Sequence, residues 1–193
     1  MKRITVFCGS SIGTENIYFE QASLLGETLA GNDIQLIYGG AKVGLMGAVA
    51  DGALNKNGEV IGVIPDFLLK KELAHHGITK LHVVETMHQR KTLMHDLSDG
   101  FIALPGGFGT MEELFEIITW AQLGLHKKPI GLLNTNGFYN HLKLLIDQMV
   151  ASGFLKEINR DMLLIDENID DLLKQMKDYT APSVGKWIQK EET

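Results

Sequence analysis

A Rossmann-like α/β fold is predicted for this chain: a doubly wound parallel sheet with helices on both faces. Short apolar runs alternate with longer amphipathic ones from end to end. Several of the short runs are apolar almost throughout, as strands covered on both faces must be. Three of them are followed at once by glycine-rich turns. Alternation of this βαβα kind calls for parallel strands joined by crossover helices.

The first strand is expected at residues 4–8, leading into the turn Gly9-Ser10-Ser11-Ile12-Gly13 and a helix over 19–30. A second strand at 34–38 runs into Gly39-Gly40-Ala41-Lys42-Val43-Gly44-Leu45-Met46-Gly47 and a helix over 46–56. Strands at 60–64 and 81–84 bracket a short helical pattern around 68–75, and a helix over 89–97 follows. The strand at 101–104 enters a third turn, Gly106-Gly107-Phe108-Gly109, and a helix over 111–122. Strands at 130–133 and 162–165 enclose a helix over 139–152, and a last helix covers 169–177. In such a sheet ligands bind beyond the carboxyl ends of the strands. Tight βα connections use glycine for structural reasons alone, but three such turns on one sheet edge point to a ligand cleft.

The 193 residues suit one domain, expected over 1–180, with a polar tail over 181–193 that frays or docks through Trp187. The formal net charge of −6 argues against a dedicated nucleic-acid binder. Cys8 is the only cysteine, so no intrachain disulfide forms and a reducing compartment is expected. The chain shows no apolar leader and no stretch near the ~18–20 residues of a membrane span. A cytoplasmic protein without membrane contact is the expectation.

The run Leu104-Pro105-Gly106-Gly107-Phe108-Gly109-Thr110-Met111-Glu112-Glu113 carries the most chemistry. Its glycines let backbone approach a ligand closely. The N–H groups of the helix that follows suit a phosphate. Two familiar phosphate motifs fail here. Gly107-x-Gly109 meets Glu112 where a dinucleotide fingerprint needs a third glycine. Gly39 and Gly44 have P-loop spacing, but Leu45 and Met46 replace the lysine and the hydroxyl residue. Neither an NAD site nor an ATPase is supported. Thr110-x-x-Glu113 also has capping-box spacing, which gives Glu113 a structural role. Glu112 gains from the helix dipole, and Glu116, one turn on, reads as a solvated face.

A second cluster, Met87-His88-Gln89-Arg90-Lys91, opens a helix after the strand at 81–84. Cations at a helix N-terminus oppose the dipole, a cost that an anionic ligand offsets. The arginine fork suits phosphate or carboxylate. A hydrated helix face is the plainer alternative. His88 and His95 share a helix face, yet two histidines without a third ligand rarely bind metal, and no metal site is expected. His75-His76 reads as a surface loop, Cys8 as a small buried residue, and Trp120, Leu123 and Leu125 as core or dimer face.

Pro105-Gly106-Gly107-Phe108-Gly109-Thr110-Met111-Glu112-Glu113 resembles the P-G-G-x-G-T-x-x-E signature of the LONELY GUY family of cytokinin riboside 5′-monophosphate phosphoribohydrolases. Met87-His88-Gln89-Arg90-Lys91 is similar to its second motif, and the resemblance extends over about residues 4–154. Ala41 stands where many relatives carry glycine. The resemblance implies hydrolysis of the N-glycosidic bond of adenosine 5′-monophosphates, often N6-prenylated, to free base and ribose 5-phosphate. It implies Arg90 and Glu113 as the catalytic pair. Lys91, Gly106, Gly107, Phe108, Gly109, Thr110, Met111 and Glu112 would bind nucleotide, with Glu72 and Thr119 as further contacts. Ser10, Gly40, Met46 and Met87 would line the cleft. It further implies a homodimer and no cofactor. Two rivals remain at this point. A non-catalytic nucleotide or molybdenum-cofactor carrier would share the architecture. A lysine decarboxylase would need pyridoxal phosphate on a lysine, for which Lys91 is the tempting position.

Overall fold

The computed structural model describes residues 1–70 and 73–182. Seven parallel strands form one sheet in the order β4-β3-β2-β1-β5-β6-β7. They are β1 Arg3–Phe7, β2 Gln35–Tyr38, β3 Val60–Pro65, β4 Lys80–Val84, β5 Gly100–Ala103, β6 Ile130–Leu133 and β7 Leu163–Asp166. Every expected strand is present, within one residue or so of its expected bounds. The helices are α1 Asn16–Gly31, α2 Gly44–Asn55, α3 Asp66–Leu69, α4 Met87–Leu97, α5 Phe108–Gln122, α6 Asn140–Ala151, α7 Glu157–Arg160 and α8 Ile169–Asp178. The pattern around 68–75 yields only the single turn α3, placed earlier than expected. The turn α7 and a 3-10 turn at Thr135–Gly137 are too short to leave a periodic signal.

The sheet is covered on both sides because its strands carry apolar residues on both faces. Ile4, Val6, Cys8, Leu36 and Tyr38 pack in one cluster with Leu25 and Leu29 of α1, Val49 of α2 and Leu172 of α8. Phe7, Ile37, Val63, Phe101 and Ala103 pack in the other with Met94 of α4, Leu114 and Ile117 of α5, and Ile146 of α6. The period-2 alternation of each strand divides its side chains between these cores. Pairing runs outward from β1 to β2, β3 and β4, then restarts on the opposite side of β1 with β5. The direction in which successive strands are added therefore reverses at the β1/β5 boundary. At that switch point the loops after the two strands diverge and open a crevice.

The described helices include none long and apolar enough to cross a membrane. The proposed docking of Trp187 lies outside the described residues.

Candidate functional site

The first and third glycine turns face each other across the β1/β5 switch point. Gly9 N–H donates to Pro105 O at 3.1 Å, and Leu45 N–H at the start of α2 donates to Gly9 O at 3.1 Å. These bonds tie all three turns together at the carboxyl edge of the sheet. A cavity of about 350 Å³ opens between them, lined by Ser10, Ile12, Tyr18, Leu45, Gly106 and Phe138 among others. Ser10 lines this cavity, whose wall also includes the apolar Ile12, Leu45 and Phe138.

Helix α5 starts at Phe108, with Gly107 as its N-cap, and no side chain caps it. Its first intrahelical bond runs from Met111 N–H to Gly107 O, so the N–H groups of the preceding turn lie ahead of the ladder. Side chains on Gly107 and Gly109 would meet only open space, and Phe108 is 94 % exposed. An uncapped, sterically open helix N-terminus beside a cavity suits an anion. Gly106 has a different role. A Cβ there would collide with the buried Thr110 side chain and come within 2.9 Å of Gly9 N. Glycine is required at that point for the two turns to meet.

The capping-box reading of Thr110 and Glu113 is corrected by this geometry. Thr110 is already the third residue of the helix, packed on Gly106, and Glu113 reaches elsewhere. The box is at α4 instead, where Thr86 accepts from Gln89 N–H at 3.1 Å and Gln89 accepts in return from Thr86 N–H at 3.3 Å. The spacing Thr86-x-x-Gln89 is equally legible in the sequence, and the motif-led reading missed it. This box fixes the first turn of α4 and hence the direction of Arg90 and Lys91.

Arg90 and Glu113 meet across α4 and α5. Arg90 Nη1 lies 3.4 Å from Glu113 Oε1, with the side chains only 11 % and 10 % exposed. Arg90 Nε donates to Val63 O at 3.1 Å, which anchors the guanidinium on β3. Its Nη2 occupies the space that a Cβ on Gly39 would fill, so Gly39 makes room for the arginine. Met46 touches the same spot, which places it at the site, and Gly40 follows directly with φ of +77°. Burial raises the pKa of Glu113; the Arg90 charge opposes that shift and the Glu112 charge adds to it. Cys8 lies beneath the pair. Burial first, then the Glu113 charge, push its thiol pKa up, so it is an inert wall as expected.

Lys91 lies between two carboxylates, with Nζ at 2.6 Å from Glu112 Oε1 and 3.0 Å from Glu116 Oε1. Glu116 is therefore a partner of Lys91 and not a solvated face. Burial works against the Lys91 ammonium, but its hydrogen bonds to Glu112 and Glu116 outweigh it and raise the pKa. A Schiff-base lysine must lose its proton to react, and this site holds that proton in place. Lys91 therefore does not suit the role of a Schiff-base lysine.

The other expected site residues scatter. Met87 and Met111 are half-buried beside Arg90 and Thr110 in sequence. Thr119 is exposed and its hydroxyl turns back to Phe115 O at 2.7 Å. Glu72 lies outside the described residues, although its neighbours are tethered to the second turn: Lys42 N–H donates to Leu73 O, and His75 N–H to Gly40 O. His75 is no free surface residue, since its Nε2 pairs with Asp51 at 2.9 Å. His88 is exposed, while His95 packs on Phe101, Trp120 and His126, which puts Trp120 against the core. Among the described residues no group of three metal-ligating side chains converges.

Comparison with known proteins shows the family. Residues 46–176 match a family model described as "Possible lysine decarboxylase". The chain is 47 % identical over 178 residues to the cytokinin riboside 5′-monophosphate phosphoribohydrolase LOG1 of Arabidopsis thaliana, covering 92 % of this chain and 84 % of that protein. It is 46 % identical over 177 residues to the cytokinin riboside 5′-monophosphate phosphoribohydrolase of Rhodococcoides fascians, covering 91 % and 89 %. Among solved structures, the molybdenum cofactor carrier protein of Chlamydomonas reinhardtii superposes with a TM-score of 0.70 at 19 % identity, covering 92 % of this chain and 98 % of that one. That likeness is one of fold alone.

Proposed function

The chain belongs to the LONELY GUY family of cytokinin riboside 5′-monophosphate phosphoribohydrolases, and from this premise we propose that it hydrolyses the N-glycosidic bond of adenosine 5′-monophosphates, N6-prenylated or plain, releasing the base and ribose 5-phosphate. One observation carries the reading: the buried Arg90–Glu113 pair stands beside the open N-terminus of α5. The acid-plus-arginine pairing favours an enzyme over a carrier of nucleotide or molybdenum cofactor.

In this reading the 5′-phosphate sits on the first turn of α5, among Gly106, Gly107, Gly109 and Thr110. Glu113 follows Gly107 by six residues, a rise of about 9 Å, and helical side chains lean back toward the N-terminus. Its carboxylate is thus set about one ribose away from the phosphate. Breaking the ribose–adenine bond builds positive charge on the sugar. The Glu113 carboxylate stabilises that charge across a short, water-poor gap. Burial makes the same carboxylate more basic, which suits it to take a proton from the attacking water. Arg90, permanently charged and pinned on Val63, keeps Glu113 aimed and ionised. Lys91, Glu112, Glu72 and Thr119 complete substrate binding, and Ser10, Gly40, Met46 and Met87 line the cleft. The working form is a homodimer, a reading supported by the exposed Phe108 at the mouth of the site. It acts in the cytoplasm, on a small molecule and not on nucleic acid.

Release of free base from AMP and from isopentenyladenosine monophosphate tests the reading. Glu113→Gln should lower kcat by about a hundredfold or more while leaving nucleotide affinity within a few fold. Equal turnover by that variant would remove Glu113 from the mechanism, and absence of free base from the wild-type protein would favour a carrier.

A further inference from the structure

We infer that Glu116 is a positioning residue for nucleotide binding: it anchors the ammonium of Lys91, and Lys91 in turn holds the Glu112 carboxylate near the N-terminus of α5. The inference rests on the nucleotide reading above.

Exposure orders the three residues from inside to outside. The Lys91 side chain is 10 % exposed, Glu116 24 % and Glu112 56 %. Lys91 has a flexible four-carbon stem, and a second, deeper carboxylate removes its freedom to swing. Glu112 and Glu116 are four apart on α5, so their like charges repel unless a cation stands between them. Lys91 occupies that place, with contacts of 2.6 and 3.0 Å. The outer carboxylate only accepts hydrogen bonds, so toward a nucleotide it suits sugar hydroxyls and not a phosphate.

This chain of contacts shares no hydrogen bond or ion pair with the catalytic pair, and reaches Glu113 only through the longer-range charges of Lys91, Glu112 and Glu116. Arg90 has its own anchor on Val63 O and its own partner in Glu113. Loss of the Glu116 charge therefore loosens Lys91 and Glu112 and leaves the Arg90–Glu113 geometry in place. The consequence falls on substrate binding and not on the chemical step.

The experiment compares Glu116→Gln, Glu112→Gln and the double variant in steady-state AMP hydrolysis. Binding of ribose 5-phosphate, which has no glycosidic bond to cleave, is read in parallel by calorimetry. Glu116→Gln should raise KM about five- to tenfold with kcat within about twofold, and weaken ribose 5-phosphate to match. The double variant should bind no worse than Glu112→Gln alone, because both act through one contact. An unchanged KM, a kcat that falls while KM holds, or additive losses in the double variant would each overturn the inference. With wild-type turnover intact, such results leave the proposed function standing. A wild-type protein that neither cleaves AMP nor binds ribose 5-phosphate overturns both.

Discussion

Removing the Arg90 charge should make the stability of this protein fall as pH rises. Arg90→Met keeps the stem and deletes the guanidinium. At 3.4 Å, the attraction between Nη1 and Glu113 Oε1 amounts to about 5 kcal/mol at an effective dielectric of 20. Breaking one side of a buried pair costs about 3–5 kcal/mol, which agrees. The variant escapes part of that cost by taking a proton onto Glu113. Burial already raises the Glu113 pKa in the wild type, and Arg90 is the main opposing charge. Without it the folded state holds a proton that the unfolded chain releases near the ordinary glutamate value of about 4.3. A raised folded-state pKa gives stability that is fully present below the unfolded value and is lost as pH climbs through the folded one. Urea unfolding should therefore place Arg90→Met about 1 kcal/mol below wild type at pH 5, from the lost bond to Val63, and about 3 kcal/mol or more below it at pH 8. The double variant Arg90→Met/Glu113→Gln should lose the added pH dependence. A constant offset from pH 5 to 8, or a slope that survives in the double variant, would refute the account of the pair.

Two further expectations concern the rest of the fold. His126 is buried, with Nε2–H on Ile117 O at 2.9 Å and Nδ1 accepting from Lys128 N–H at 3.1 Å, and burial lowers its pKa to about 4. Its neutral form contributes stability above the unfolded value of about 6.5 that is lost as pH falls toward 4, about 3 kcal/mol in all. Imidazole titration by NMR reads the pKa directly, and His126→Gln should flatten the acid limb of the stability curve. Gly39→Ala places a methyl on the Arg90 Nη2 position, at the far end of a flexible side chain. Stability should fall by about 1–3 kcal/mol as the Arg90–Glu113 pair is strained, while AMP turnover drops about 10- to 100-fold because the guanidinium is displaced. Retained turnover would show that the arginine tolerates relocation.

The strands were the most legible part of the chain, because a strand buried on both faces leaves a dense apolar run that nothing else of that length explains. The glycine turns were legible as a group, since three of them follow strands and parallel strands bring their carboxyl ends to one edge. Short elements such as α7 were not, because four residues cannot establish a period. The misreadings at the site share one cause. Thr110-x-x-Glu113 and Thr86-x-x-Gln89 are the same pattern, and only the position of each helix start decides which is a cap. Glu116 resembles any solvated glutamate until Lys91 arrives from another helix.

Sequence by itself determined the fold class, the sheet edge that gathers the glycine turns and the family to which the chain belongs. These follow from local periodicity and from contiguous motifs, both of which a linear string preserves. Tertiary structure decided what the charges do. Arg90 and Glu113 are 23 positions apart in sequence, and their pairing depends on β3 offering a carbonyl at Val63 and on the glycine, Gly39, that follows β2. Whether a glutamate caps a helix, bridges a lysine or faces a substrate is set by which other element packs against it, and no local pattern carries that information.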